Sequence, residues 1–335
     1  MAAFIHFIYA SSLLLSAFGY QYPWQDPTVS TEERVSNLLS LMSPAQKISN
    51  MDNNAPGAQN ISFPPYQWGH ECERGDVMSP LGTCFPQSIG LSQSFNASLI
   101  HAVGVATGFE VRASYNSEKT GSAGSHCWSP MVNINRMPTW GRSQEGYGED
   151  PGLTALFADA YVRGLQFAPD GVHPTTIASC KHYDVHAGPE TGPQGQWGPG
   201  GRFGFNVQVM ERDWREIYLP AWEACAGASA GGVMCSYNSI TITDNLNLSN
   251  NVPACFNPLT LQHILRDTFN FKGYVVSDCG ALRFGVDVHG FAPNDEKGAV
   301  AALTAGCDLE CDCCRFGPVF PALNAAIADG NATVE

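Results

Sequence analysis

Several polar residues in this 335-residue chain stand directly after short apolar runs. Lys181 and His182 follow residues 175–180, Tyr237 follows 232–236, and Asp278 follows 273–277. Each run has the length and the small or β-branched content of a buried parallel strand. If such strands close into a barrel, residues just past their C-terminal ends meet in one mouth, however distant they are in sequence. A carboxylate held there beside cations stays ionised, which suits attack on an anomeric carbon or stabilisation of an oxocarbenium-like state. Neighbouring cations can hold sugar hydroxyls. Taken singly, each residue has an ordinary reading: Asp278 as a helix cap, Lys181 as a solvated strand end, His182 as a satisfied core histidine. The recurrence of the pattern in order is what favours chemistry.

The elements that would position these residues alternate. Residues 131–134, 175–180, 232–236 and 273–277 read as buried strands, while 159–167, 209–226 and 259–269 carry helical spacing between and after them. Ser30 and Glu33 form a capping-box pattern for a helix over 30–42, with Val35, Leu38, Leu39 and Met42 on one face, and a second helix starts at Ser43-Pro44. Repeated βα units without a GxGxxG loop favour an α/β fold of the closed (β/α)8 TIM-barrel type over a dinucleotide-binding sheet. Residues 188–204 hold seven Gly, three Pro and one Trp, the composition of a long loop that could cover the mouth. No internal boundary is evident, so residues 20–335 form one barrel domain.

Composition narrows the class of partner. Seventeen Lys and Arg against 31 Asp and Glu give a net charge of −14, which repels nucleic-acid backbones and anionic membranes. The apolar run 10–18 followed by Gly19 reads as a signal peptide over residues 1–19, too short and interrupted for the roughly 20 residues of a membrane span. Sequons at Asn60, Asn96, Asn247 and Asn331 fit glycosylation, and the protein is expected to be secreted. Twelve Cys in an exported chain imply disulfides, with Cys72–Cys84 a plausible short loop. The cluster Cys307, Cys311, Cys313 and Cys314 could ligate zinc, but no His stands at finger-like spacing and disulfides account for it without a metal. No cofactor is expected.

Longer strings carry a specific resemblance. Gly273-Tyr274-Val275-Val276-Ser277-Asp278-Cys279 resembles the nucleophile segment of glycoside hydrolase family 3, and Ser179-Cys180-Lys181-His182-Tyr183 its Lys-His sugar-binding pair. Trp140-Gly141-Arg142 with Glu145 and Gly148-Glu149-Asp150-Pro151, and Met234-Cys235-Ser236-Tyr237-Asn238, resemble two further family segments in the same order. With Arg202-Phe203 and Asn206, the resemblance runs from residue 60 to 310. It implies Asp278 as nucleophile, with Arg142, Lys181, His182, Arg202 and Tyr237 lining the subsite for the non-reducing-end sugar. Tyr66-Gln67-Trp68-Gly69-His70-Glu71 resembles the segment in which xylosidases of the family carry Glu and many glucosidases carry Asp; Glu71 would crowd a hydroxymethyl group. Cys279 stands where glucosidases often have Trp and xylosidases Cys. The resemblance therefore implies a retaining exo-acting β-xylosidase acting on xylo-oligosaccharides or related glycans. Two departures are Gly69, where many xylosidases have a second Trp, and Cys72-Glu73-Arg74-Gly75, where the usual pattern is Ala-Leu-His-Gly.

Retaining hydrolysis needs a second carboxyl group about 5 Å from the nucleophile to protonate the departing oxygen. Glu145, Glu149 and Asp150 read as loop-shaping or helix-capping residues, and Trp140, Trp197, Trp214 and Trp222 as packing. In the family the acid usually comes from a sandwich domain after the barrel, whereas this sequence stops at Glu335, so a second domain or chain is expected to supply it. The rival readings are a secreted sugar-binding barrel without catalysis, and a β-glucosidase or α-L-arabinofuranosidase of the same family.

Overall fold

The computed structural model describes residues 19–79, 81–117, 124–196, 198, 200–312 and 317–334. The expected signal peptide and Trp197 lie outside or almost wholly outside the described residues. In chain order the strands are β1 (Asn54–Ala55), β2 (Tyr66–Gln67), β3 (His126–Cys127), β4 (Ile177–Tyr183), β5 (Asn206–Val209), β6 (Gly232–Cys235), β7 (Ser239–Ile242), β8 (Val252–Pro253) and β9 (Tyr274–Ser277). β3, β4, β6 and β9 pair in that order, all parallel, and their residues are almost wholly buried. Ser277 N–H donates to Leu309 O (2.8 Å), Asn53 N–H to Glu310 O (2.9 Å), Trp68 N–H to Asn53 O (2.8 Å), and Trp128 N–H to His70 O (2.8 Å). These bonds carry the sheet around to its starting edge, and the fold is the expected TIM-type α/β barrel. Among the described residues the ring departs from uniform parallel pairing where β1 meets β2 antiparallel. β5, β7 and β8 form a separate small sheet beside it.

Three of the four expected strands appear within a few residues of their expected limits. The fourth, 131–134, does not: the regular pairing lies earlier, in β3, and Met131 makes only an isolated bridge to Lys181. Pro130 has no N–H to give the ladder. The chain there instead accepts from β4 through Ser129 O (3.1 Å) and Pro130 O (3.0 Å).

The helices also differ in detail. The capped helix Thr31–Leu41 buries Met42 beyond its end and rests through Leu38, Leu41 and Met42 on Tyr22, Ala58, Ile61 and Phe63. Val35 and Leu39, expected on the same face, are 49% and 44% exposed. Residues 209–226 are split between the last residue of β5 and three successive helical pieces, Glu211–Asp213, Trp214–Tyr218 and Pro220–Gly227. The longest helix, Ala97–Ser117, has no counterpart in the expected elements. Its Gly104 and Gly108 cross the helix Pro151–Leu165 so closely that an added Cβ would lie 2.8 Å from Tyr161 O and 2.5 Å from Leu165 O. Glycines that read as helix breakers are here the contact surface. Among the described residues no helix is long and apolar enough to cross a membrane.

Among the described residues four disulfides join Cys72 to Cys127, Cys180 to Cys225, Cys235 to Cys255 and Cys279 to Cys311. Cys72 therefore does not pair with Cys84. The Trp128–His70 hydrogen bond sets residues 70–72 alongside 127–128, which brings the Cys72 and Cys127 Cα atoms to 5.5 Å, while Cys84 is an exposed free thiol beside Arg74 Nη1 (2.9 Å). Cys311 is consumed by Cys279, Cys307 is a buried thiol, and Cys313 and Cys314 lie outside the described residues. Peptide mapping without reduction should recover the Cys72–Cys127 link, and iodoacetamide should label Cys84 but not Cys307 in the native protein. Recovery of a Cys72–Cys84 peptide would overturn this pairing. Opening the link through paired serine substitutions should cost about 4 kcal/mol for a loop of this length, measured by thermal unfolding.

Candidate active site

The C-terminal ends of the strands face one cavity of about 490 Å³, within the usual range for small-molecule sites. Asp278 follows β9, and its N–H donates to Cys235 O of β6 (2.8 Å), which fixes where the side chain starts. Lys181 and His182 are the last inward residues of β4, and Tyr237 lies two residues past β6. Arg142 precedes the short turn Ser143–Glu145, Glu71 follows β2, and Arg202 comes from the long loop 188–204. All seven residues expected from the sequence line this cavity, and the glycine-rich loop contributes to its mouth.

Around Asp278 the polar contacts form two linked ion pairs and a neutral imidazole. Arg142 donates Nε to Glu145 Oε1 (2.7 Å) and Nη2 to Glu145 Oε2 (2.6 Å), a bidentate pair that also sends Nη1 to His182 Nε2 at 3.2 Å. His182 is buried, and its pKa is driven well below the usual value first by desolvation and then by the charge of Arg142. The ring is therefore neutral: Nε2 accepts from Arg142, and Nδ1 faces Asn133 Oδ1 at 3.3 Å. Its 3.7 Å approach to Asp278 Oδ2 is accordingly a close contact and not an ion pair. Lys181, whose side chain is 2% exposed, donates to Glu71 Oε2 (2.6 Å) and lies 3.5 Å from Glu73 Oε1. Desolvation works against its charge, but Glu71 and Glu73 outweigh it and its pKa rises.

Asp278 feels opposed influences of its own. Burial raises its carboxyl pKa, and Arg142, Arg202, the Tyr237 hydroxyl and the Cys279 N–H (2.8 Å to Oδ1) pull it down without cancelling the rise. Burial is thus the larger influence, and the cations expected beside this carboxylate reduce the rise without reversing it. For Glu145 the balance falls the other way. Burial opposes ionisation, yet the hydrogen bonds and charge of Arg142 hold its carboxyl below the usual value.

The cavity also contains Trp128, which no motif included, and Glu145, Met234 and Cys279, which stood in the motif segments but were not among the expected site residues. Gly69 has φ of +121°, and a Cβ there would meet the Trp128 ring at 3.3 Å, so the indole of Trp128 stands against the position where many relatives were expected to place a second Trp. Glu190 accepts from Trp140 Nε1 (2.9 Å) and from Arg202 Nη1 (3.2 Å), tethering the long loop. Trp140, Trp214 and Trp222 are buried packing residues, as expected, and Asp150 caps the helix Pro151–Leu165 by accepting from Leu153 N–H (2.7 Å). A Trp-Ser-Pro string just after a strand was the available signal for Trp128; Glu190 offered none.

A closed ring of strands whose C-terminal ends converge on one carboxylate ringed by cations defines a TIM-type barrel with its polar site where such barrels carry theirs. The chain belongs to glycosyl hydrolase family 3: the description of that family's N-terminal domain matches residues 38–335. It is 35% identical over 298 residues to beta-D-xylosidase 3 of Arabidopsis thaliana, covering 85% of this chain and 36% of that protein. It is likewise 35% identical over 311 residues to the exo-1,4-beta-xylosidase bxlB of Emericella nidulans, covering 87% and 38%. Among solved structures it resembles a family 3 exo-beta-xylosidase in complex with a xylobiose aziridine probe, with a TM-score of 0.81 and 31% identity over 93% of this chain and 39% of that one. It also resembles a β-glucosidase from Erythrobacter marinus, with a TM-score of 0.74 and 25% identity over 92% and 43%. The chain spans little more than a third of the length of the curated relatives it matches.

A carboxyl pKa that is higher folded than unfolded contributes stability at low pH that is lost as pH rises through the folded value. Asp278→Asn, which cannot ionise, should therefore raise the Tm at neutral pH and lose that advantage in acid, where Asp278 is itself protonated. A variant that melts lower than the parent at neutral pH would show that the cations, and not burial, control this group.

Proposed function

We propose that the barrel holds a terminal β-D-xylosyl residue of a xylo-oligosaccharide and that Asp278 is the nucleophile of a retaining exo-glycosidase. The observation that carries this reading is the convergence of Asp278 with Arg142, Lys181 and neutral His182 in a single cavity at the strand ends. Arg142, Lys181, Arg202 and Tyr237 supply donors for sugar hydroxyls, and Glu71, an acceptor, sits at the cavity with its side chain 42% exposed. In the reaction the Asp278 carboxylate attacks the anomeric carbon, the bond to the leaving oxygen breaks and that oxygen takes up a proton; water then hydrolyses the glycosyl ester. The Asp278 carboxylate stabilises the positive charge that develops at the anomeric centre, while the fixed cations hold the sugar hydroxyls. Glu71 and Cys279 at the cavity favour a pentose over a hexose.

The proton donor is proposed to come from a further domain or chain. Of the carboxyl groups lining the cavity, Glu145 is held ionised by Arg142, and Glu71 is engaged with Lys181. The disulfides fit an oxidising, extracellular setting, which supports secretion. A sugar-binding barrel without turnover is the alternative that the engaged carboxyl groups favour.

Dinitrophenyl β-D-xyloside, whose leaving group needs no proton, should be cleaved by this chain much faster than xylobiose. Comparable rates on both would refute the external acid. Asp278→Asn should lose at least about 10³-fold in kcat on the aryl substrate, and the acid limb of the parent's kcat/KM profile should fall above the ordinary aspartate range, because only the ionised carboxylate attacks. Absence of turnover on aryl xyloside, glucoside and arabinofuranoside alike, with xylose still bound, would favour the binding protein.

A further inference from the structure

Behind the Lys181–Glu71 pair lies a second carboxylate that the proposed reaction does not use. Glu73 is buried beneath the cavity and is not part of its lining. Its Oε2 accepts from Met131 N–H (3.2 Å), while Oε1 makes no hydrogen bond among the described residues and faces Lys181 Nζ at 3.5 Å. Its loop cannot drift away: the Cys72–Cys127 link adjoins it, Tyr161 donates to Cys72 O, and the buried His70–Asp76 pair closes at 2.6 Å. The lysine is therefore shared between a part-exposed carboxylate at the cavity and a more deeply buried one below.

Resting on the reading of this cavity as a sugar subsite, we propose that Glu73 is a positioning residue that retains the Lys181 ammonium when Glu71 turns to accept from sugar hydroxyls. Without such a partner, releasing Glu71 would leave an almost fully buried ammonium uncompensated, a cost that would be charged against sugar binding. The groups facing Glu73 are Lys181, Glu71, Glu145 and the phenols of Tyr147 and Tyr161. Burial raises the Glu73 carboxyl pKa to about 7; Lys181 opposes the rise, Glu145 and Glu71 add to it, and Met131 N–H reduces it. Ionised Glu73 can hold Lys181 and protonated Glu73 cannot, so sugar affinity should increase as pH rises through this value.

The test is a titration with D-xylose followed by tryptophan fluorescence, since Trp128 lines the cavity, from about pH 6 to about pH 8. The parent should bind more tightly across that window. Glu73→Gln keeps an acceptor for Met131 N–H but no charge; it should flatten the step, bind about ten-fold more weakly at the alkaline end and melt no lower than the parent, because the carboxyl it removes has a raised pKa. The losses in Glu71→Gln and Glu73→Gln should be non-additive in the double variant. A Glu73→Gln protein with the parental pH profile, or strictly additive losses, would overturn the proposal. If that variant does not fold, Glu73→Asp must move the midpoint of the step, and an unmoved midpoint overturns it equally. A folded parent that binds no D-xylose at any pH would instead defeat the sugar-subsite reading, and this proposal with it.

Discussion

An almost fully buried ammonium is the constraint around which the barrel mouth is organised. Lys181 points inward from β4 and is 2% exposed, so its charge requires partners of opposite sign at hydrogen-bonding distance. Those partners, Glu71 and Glu73, come from one irregular segment on the far side of β3. The devices that fix that segment follow from this need: a disulfide to β3, a backbone bond from Trp128 to His70, and the buried His70–Asp76 pair. Arg142 poses the same problem and solves it locally, with Glu145 three residues on.

The two cations differ in what they leave for a ligand. Arg142 is held by Glu145 and His182 through one N–H of each guanidinium nitrogen, which leaves two N–H groups for a ligand while its charge lowers the Asp278 pKa. Because His182 is neutral and accepts from Arg142, it adds no second positive charge beside the carboxylate. Burial then dominates and the Asp278 carboxyl pKa stays raised. A carboxylate that is poorly solvated and has one oxygen, Oδ2, without a hydrogen bond among the described residues is reactive towards a carbon that develops positive charge.

Much of this was legible in the sequence, for a definite reason. Buried parallel strands are continuous apolar runs, and the polar residues that end them stand out; Lys181, His182, Tyr237 and Asp278 were found that way and share one cavity. Residues that act through a neighbour were not legible. Glu73 and Glu190 sit in stretches without periodicity, and their partners, Lys181 and Arg202, are respectively far along the chain and inside a glycine-rich loop. The helix Ala97–Ser117 was hidden because Gly104 and Gly108, which weaken an isolated helix, are required by its crossing with Pro151–Leu165. Cysteine pairing was hidden because the partner of Cys72 is set by strand adjacency and not by spacing.

A xylosidase and a β-glucosidase share this fold, so in such barrels the fold itself does not choose between their sugars. Choice must lie in side chains that leave the strand ends, and such side chains discriminate only if their backbones are held to fractions of an ångström. The disulfides are placed accordingly. Cys72 adjoins Glu71, Cys127 adjoins Trp128, and Cys279 adjoins Asp278, so each of these three cavity residues has a cross-linked neighbour in sequence. Glycine at position 69 serves the same end by admitting the Trp128 ring where any side chain would press on it. The Glu71 and Trp128 side of the cavity is thus set by a link between the segment before Cys72 and β3 and by one missing Cβ, which is a local solution that leaves the strands, and therefore Asp278, where the barrel puts them.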